Sequence, residues 1–270
     1  MQNESLKDIA RKLRAKVLTM LYESQSGHPG GSLSCVEILM ALYYKKARIK
    51  PEDPKWPDRD RIILSKGHAA PIQYAILSDL GYFPESDLSN FRQINSHLQG
   101  HPDMNKTPGV DVSTGSLGQG FAIGAGIANA AKYLGKSFQV FVVVGDGELQ
   151  EGLVWEAAMS AAHYHLDNLT VLLDNNGLQI DGTNDEVMSL GNINGKFSAF
   201  GFNCYEVDGH NIDEIVKALD EPSIGKPKFI SCQTVKGKGV SFMENQVGWH
   251  GKAPNKDQYV SAIDELGGVK

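Results

Sequence analysis

The sequence predicts an α/β fold: a mostly parallel central sheet of about five or six strands, helices on both faces, and extra helices at the N-terminus. Three observations carry that expectation. Short apolar or β-branched runs recur at Arg61–Leu64, Phe138–Val144, Leu169–Leu173, Cys204–Val207 and Lys228–Thr234, and each later gap can hold a crossover helix. The runs are brief, as strands buried on both faces of a parallel sheet are. Glycine is in excess, 29 of 270 residues, and it gathers in short motifs between the runs.

The elements follow in order. Leu6, Ile9, Leu13, Val17 and Leu21 recur at helical spacing, so the N-terminus reads as an amphipathic helix and not as a signal segment. Cys35–Tyr44 is a second helical stretch. Gly118, Gly120, Gly124 and Gly126 hint at a dinucleotide fingerprint, but no strand runs into them, and a Gly/Ala helix packed close to a neighbour is the better reading. A helix is expected from near Leu149. Asn211-Ile212-Asp213 opens another, with Ile212, Ile215, Val216 and Leu219 on one face. Ala253–Lys270 carries room for a last short helix. No repeat or linker divides the chain, so residues 1–270 read as a single domain.

Bulk properties narrow the function. With 41% apolar and 21% charged residues the chain is of the soluble globular kind. No apolar run comes near the roughly twenty residues that a membrane-spanning helix needs. A net charge of -6 without a basic block argues against nucleic acid as a partner. Cys35, Cys204 and Cys232 are scattered and odd in number, which suits a reducing cytoplasm and fits no zinc pattern.

The glycine motifs carry the chemistry. VGDG ends one strand and DNNG the next, so Asp146 stands beside a helix N-terminus, where backbone N–H groups favour phosphate. Adjacent parallel strands lie about 4.8 Å apart, close enough for Asp146 and Asn176 to meet at one ion. With the carbonyl of Leu178 they form a hard-oxygen half-shell for Mg²⁺ or Ca²⁺, the remaining positions going to a diphosphate and water. Either turn alone reads better as a plain strand ending; the two together, at this spacing, read as diphosphate–metal binding.

GDG followed after 27 residues by NN resembles the thiamine-diphosphate fingerprint. SGHPGGS, LSKGHAA, GHPD, TGSLGQG and GDGELQEG, in that order, resemble the N-terminal half of transketolase over residues 10 to 255. The resemblance implies a fold that binds thiamine diphosphate, with Asp146, Asn176 and the Leu178 carbonyl on the metal, Gly145 in the cofactor-binding turn and the Gly147 N–H offered to the diphosphate. Gly115, Ser116 and Leu117 match the loop that reaches the aminopyrimidine and thiazolium rings, with Ser116 standing where many transketolases have proline. His28 and His250 match the pair near the reacting carbon, and His68 and His101 those nearer the diphosphate and donor hydroxyls. Imidazoles suit a reaction that moves protons on and off alkoxide oxygens. His97, His163, His165 and His210 match nothing.

Glu151 and Glu156, counted with the cofactor-binding residues, belong by the resemblance to a subunit-interface network joining two active sites. The residues alone also allow a capping role for Glu151 and an ordinary ion pair for Glu156. Lys236 and Lys238 read as a solvated turn, although the resemblance places their loop at the cofactor and substrate mouth.

In transketolases a glutamate against the cofactor's pyrimidine ring and the arginines that hold sugar phosphate lie in later domains, and no motif here matches them. The resemblance therefore implies a separate C-terminal, pyrimidine-binding transketolase subunit, together forming an α2β2 heterotetramer. That pair would transfer a two-carbon ketol unit from a ketose phosphate to an aldose. The alternatives are a related ketol or acyl transferase with another acceptor, and a thiamine-diphosphate-binding module without turnover.

Overall fold

The computed structural model describes residues 5–268. Ser5 starts the first helix, α1 (Leu6–Ser24), by accepting a hydrogen bond from the Asp8 N–H. Leu13, Val17 and Leu21 are buried on α1 and Leu6 and Ile9 partly so, as their spacing predicts. Two short helices follow, α2 (Pro29–Ser34) and α3 (Val36–Met40), the latter running on as a π-helical turn over Ala41–Lys46.

The sheet begins with β1 (Arg61–Leu64), and a 3-10 turn at Gly67–Ala69 leads into α4 (Ala70–Asp79). Then come α5 (Gln119–Tyr133), β2 (Val140–Gly145), α6 (Gly152–His163) and β3 (Leu169–Asn175). The short α7 (Asn184–Met188) and α8 (Ile193–Phe200) precede β4 (Asn203–Asp208), α9 (Ile212–Asp220) and β5 (Lys228–Gln233). The last element is α10 (Lys256–Glu265); Val269 and Lys270, part of the expected final stretch, lie outside the described residues.

All neighbouring strands pair parallel, in the order β1-β2-β3-β5-β4, so the sheet has five strands among the described residues. Alternate residues of each strand enter opposite cores. Phe141, Val143, Leu172 and Ile230 face α1, α3, α4 and α9, while Val142, Val144, Val171, Leu173 and Phe229 face α5, α6 and α8. Helices thus cover both faces, which is why these strands are apolar almost throughout. Phe197 of α8 stacks on Phe229 with ring centroids 3.8 Å apart.

The Gly/Ala reading of residues 118–126 holds, and close packing explains Gly124 but not Gly126. A Cβ on Gly124 would lie 2.5 Å from Val142, so α5 can sit this near β2 only without one; Gly126 faces open space. Asn211 caps α9 by accepting from the Asp213 and Glu214 N–H groups. The helix expected from Leu149 begins later: Gly147–Gln150 form a 3-10 turn, and α6 starts at Gly152. No helix among the described residues is long and apolar enough to cross a membrane.

Candidate active site

The carboxyl ends of β2 and β3, where crossover loops leave a parallel sheet, open into a cavity of about 360 Å³. Gly145 of β2 is in register with Asp174 of β3, so the residues just beyond them, Asp146 and Asn176, stand on neighbouring strand ends. Gly145, Asp146, Gly147, Asn176 and Leu178 line this cavity, and Gly115, Leu117 and Glu151 border it. His28, His68 and His250 complete the wall.

Asp146 is almost fully buried. Its Oδ1 accepts the Gly147 N–H (2.8 Å) and its Oδ2 the Gly177 N–H (2.5 Å). Burial, and then the neighbouring carboxylate of Asp174, push its pKa up. The nearby ammonium of Lys66 is committed elsewhere: it pairs with Asp174 and donates to the Gly31 carbonyl. Asp146 is therefore a carboxylate short of positive charge, and the donor set around it (carboxylate, the Asn176 amide, the Leu178 carbonyl) is the hard-oxygen set that Mg²⁺ or Ca²⁺ takes. The residues fit such an ion. The Gly147 N–H expected to meet a diphosphate is held by Asp146, and Lys236 already donates to the Leu178 carbonyl (3.1 Å).

Beneath the cavity lies a buried polar floor. Asp174 has no exposure at all; burial raises its pKa, but Lys66, Ser34 and Thr234 outweigh that and hold it below the usual carboxylate range. Ser34 Oγ donates to Asp174 Oδ2 (2.6 Å) and Thr234 Oγ1 to Oδ1 (2.5 Å). Glu148, buried and raised by burial, ties three loops together: it accepts from Ser65 Oγ, from the Gly118 N–H (2.9 Å) and from the Gly145 N–H (3.0 Å). Lys236 is only 2% exposed, which corrects its reading as a solvated turn; Lys238 is the partly exposed member of that loop. Burial, and next the charge of Lys66, lower the Lys236 pKa to about 8.

Three imidazoles converge. Ring centroids are 5.3 Å apart for His28 and His68, 5.6 Å for His28 and His250, and 5.3 Å for His68 and His250. Burial, then the charge of Arg92, lowers His28 to about 4, and burial, then Lys236, lowers His250 to about 3. His68 falls well below its ordinary value through burial and Lys66. All three are neutral at neutral pH. Lys236 Nζ lies 2.9 Å from His250 Nδ1. An ammonium donating there leaves the neutral ring's proton on Nε2. His28 Nδ1 is buried and has no hydrogen-bond partner among the described residues.

Three expected site residues stand apart from the cavity. His101 is exposed, 6.4 Å from His28 between ring centroids, with its ring packed against Gly115. Ser116 is exposed at the loop tip, and Glu156 is exposed on α6. Glu151 occupies the N-cap position of α6, but its side chain makes no capping bond. Reading the sequence did not single out Lys66, Glu148 or Asp174. LSKGHAA held the one available signal, a lysine at the end of an apolar strand, where a charge needs a reason.

Residues 5–270 match the family model described as transketolase, thiamine diphosphate binding domain. The chain is 41% identical over 267 residues to the 6-deoxy-6-sulfo-D-fructose transketolase subunit SqwG of Clostridium sp. (strain MSTE9), covering 98% of this chain and 97% of that one. It is 38% identical to one subunit of the apulose-4-phosphate transketolase of Phocaeicola vulgatus, covering 98% and 95%. Human transketolase is 40% identical over 97% of this chain, which spans 42% of that protein. A crystal structure of Campylobacter jejuni transketolase superposes with a TM-score of 0.92 at 34% identity, over 97% of this chain and 43% of that one. With this cavity, this strand order and these relatives, the chain belongs to the transketolase family, as a member of its N-terminal, thiamine diphosphate-binding domain.

Proposed function

We propose that this chain is the diphosphate-binding subunit of a two-chain transketolase that transfers a two-carbon ketol unit from a ketose phosphate to an aldose. One observation carries the reading: a hard-oxygen donor set, Asp146 with Asn176 and the Leu178 carbonyl, lies in the same cavity as three neutral imidazoles. Two relatives of matching length bear the word subunit in their names, which supports a separate pyrimidine-binding partner. We place the pair in an α2β2 assembly in the cytoplasm, and read residues 1–270 as one domain because both apolar cores share one sheet.

Thiamine diphosphate supplies, when bound, the electron sink that lets a carbon–carbon bond beside a carbonyl break and form. Asp146, Asn176 and the Leu178 carbonyl would hold Mg²⁺ or Ca²⁺ against its diphosphate. Lys236 brings a positive charge to the cavity of a chain that is acidic overall, the Lys66 ammonium being matched by Asp174. Gly115 and Leu117 border the cavity with Glu151, and Ser116 stands exposed between them at the loop tip. The imidazoles, held neutral, can donate or accept a proton at the sugar oxygens without first shedding one to solvent. His101, outside the cavity wall with its ring 6.4 Å from that of His28, is read as the contact for the more distant hydroxyls.

The test is reconstitution. The chain alone should show negligible ketol transfer, and the partner chain with Mg²⁺ and thiamine diphosphate should restore it. Full activity from the isolated chain would overturn the two-chain reading. Tight cofactor binding without turnover in any assembled pair would replace it with a binding module.

A further inference from the structure

His210 matches no motif, yet it joins two parts of the molecule that the cavity depends on. It lies in the turn between β4 and α9, partly buried. Its Nδ1 is 2.9 Å from Glu37 Oε2 on α3, and its Nε2 accepts the Val235 N–H at 2.9 Å. An accepting Nε2 places the ring's proton on Nδ1, pointed at the Glu37 carboxylate. Glu37 is held from behind by Arg14 of α1 in a two-pronged pair, Nη1 to Oε1 at 2.7 Å and Nη2 to Oε2 at 2.9 Å. Burial raises the Glu37 pKa, but the His210 hydrogen bond and the Arg14 charge outweigh it and bring it to about 2, so the carboxylate stays ionised.

The same network grips the following loop twice. His210 holds the Val235 N–H, and Arg14 Nε donates to the Lys238 carbonyl at 2.8 Å. Between those two points stands Lys236, whose ammonium reaches the Leu178 carbonyl and His250 Nδ1. The loop has little slack: Gly237 has a φ of +79° and would place a Cβ 2.4 Å from the Met243 carbonyl oxygen, while its N–H donates to Gly30. A buried ion pair is a weak way to stabilise a fold, and an apolar cluster of equal volume would serve as well or better. Directed hydrogen bonds offer a fixed position for the backbone they hold.

We propose that His210, backed by Glu37 and Arg14, is a positioning residue that fixes the Val235–Lys238 loop and so sets Lys236 against the Leu178 carbonyl and His250. The importance of Lys236 rests on the functional reading above; the hydrogen-bond relay itself is a property of this chain alone. His210→Leu removes both ring nitrogens, and His210→Gln offers one donor and one acceptor in their place.

In the assembled enzyme, His210→Leu should raise the half-saturating concentration of thiamine diphosphate at least tenfold, with kcat at saturating cofactor within about threefold of wild type. His210→Gln should recover most of the affinity. A folded Leu variant with unchanged half-saturation would overturn the proposal, as would equal impairment of the Gln and Leu variants. If the Leu variant does not fold, His210→Phe keeps the ring's volume without its nitrogens and is judged by the same outcomes. Amide exchange of Val235 in the isolated chain gives an answer independent of activity. Exchange at least tenfold faster in the Leu variant and near wild type in the Gln variant supports the relay, and unchanged exchange in the Leu variant overturns it, even if no partner ever restores ketol transfer.

Discussion

The floor of the cavity and its rim are built on opposite principles. On the floor, Lys66 pairs with Asp174, Glu148 is bonded to three loops, and Lys236 reaches a carbonyl and an imidazole, all within this chain. On the rim, outward from the cavity wall at Ile180 along α6 and α7, Glu156 is exposed beside Met159, and Ile180, Val187 and Met188 are exposed as well. A floor of buried, satisfied polar groups is finished; a rim that mixes exposed large apolar side chains with carboxylates is a surface suited to another chain. Substitutions should therefore act on folding at the floor, on cofactor at the strand ends and on assembly at the rim.

The largest effect is expected where the floor's buried charges are separated. Lys66→Met leaves Asp174 ionised and unexposed without its cation, which should lower unfolding free energy by about 3–5 kcal/mol. Denaturant titration of the isolated chain measures it. Lys66→Met with Asp174→Leu removes both charges and should recover most of the loss, because the penalty belongs to the unpaired carboxylate. A single variant as stable as wild type would mean that water reaches the pair.

Next comes the strand end. Asp146→Ala takes away the one carboxylate of the proposed metal set, and metal-dependent affinity for thiamine diphosphate should fall at least a hundredfold, about 2.8 kcal/mol at 1.4 kcal/mol per tenfold. Calorimetric titration of the assembled enzyme with cofactor, in Mg²⁺ and in chelator, separates this from a folding defect. Equal affinity with and without metal in wild type would remove the metal assignment.

These two predictions also mark how far the sequence could be read. Each of the five strands falls within two residues of its expected span, because apolar runs bounded by glycine turns are local signals. Asp146 and Asn176 were legible for the same reason: each ends a strand, and neighbouring strands bring their ends together. Lys66 and Asp174 are 108 residues apart and meet only because β2 lies between β1 and β3, with α2 closing over them. No periodicity announces a pair of that kind. Lys236 was readable as a lysine in a glycine-rich turn, and such a residue is solvated unless distant elements cover it, as α2 and the Val247–Trp249 turn do here.

The imidazoles supply a smaller effect, spread over pH. Their folded pKa values, about 4 for His28 and about 3 for His250, lie below the ordinary 6.5, so between these limits the unfolded chain binds more protons than the folded one. Stability then rises with pH: the neutral rings cost nothing above about pH 6.5, and acidification from there toward pH 4 erodes the fold. The melting temperature of the isolated chain should fall between pH 7 and pH 5, before most carboxylates protonate. His28→Asn with His250→Asn should flatten that slope. A wild-type melting temperature flat over this range would show that the rings titrate alike in both states.

The smallest effect on folding belongs to the rim, and it is the most pointed test of the contrast. Glu156 is exposed, so Glu156→Gln should change the isolated chain's unfolding free energy by no more than about 0.5 kcal/mol. Met159, 59% exposed, can be replaced by serine at similarly small cost. If the rim meets the partner, the same substitutions should weaken assembly, measured by sedimentation of the mixed chains, because side chains left in water by one chain are removed from it by two. Loss of assembly with unchanged melting of the isolated chain is the expected pattern. The reverse, intact assembly with a destabilised chain, would make the rim an ordinary surface of the fold and move the search for the partner's seat to the other elements that border the cavity.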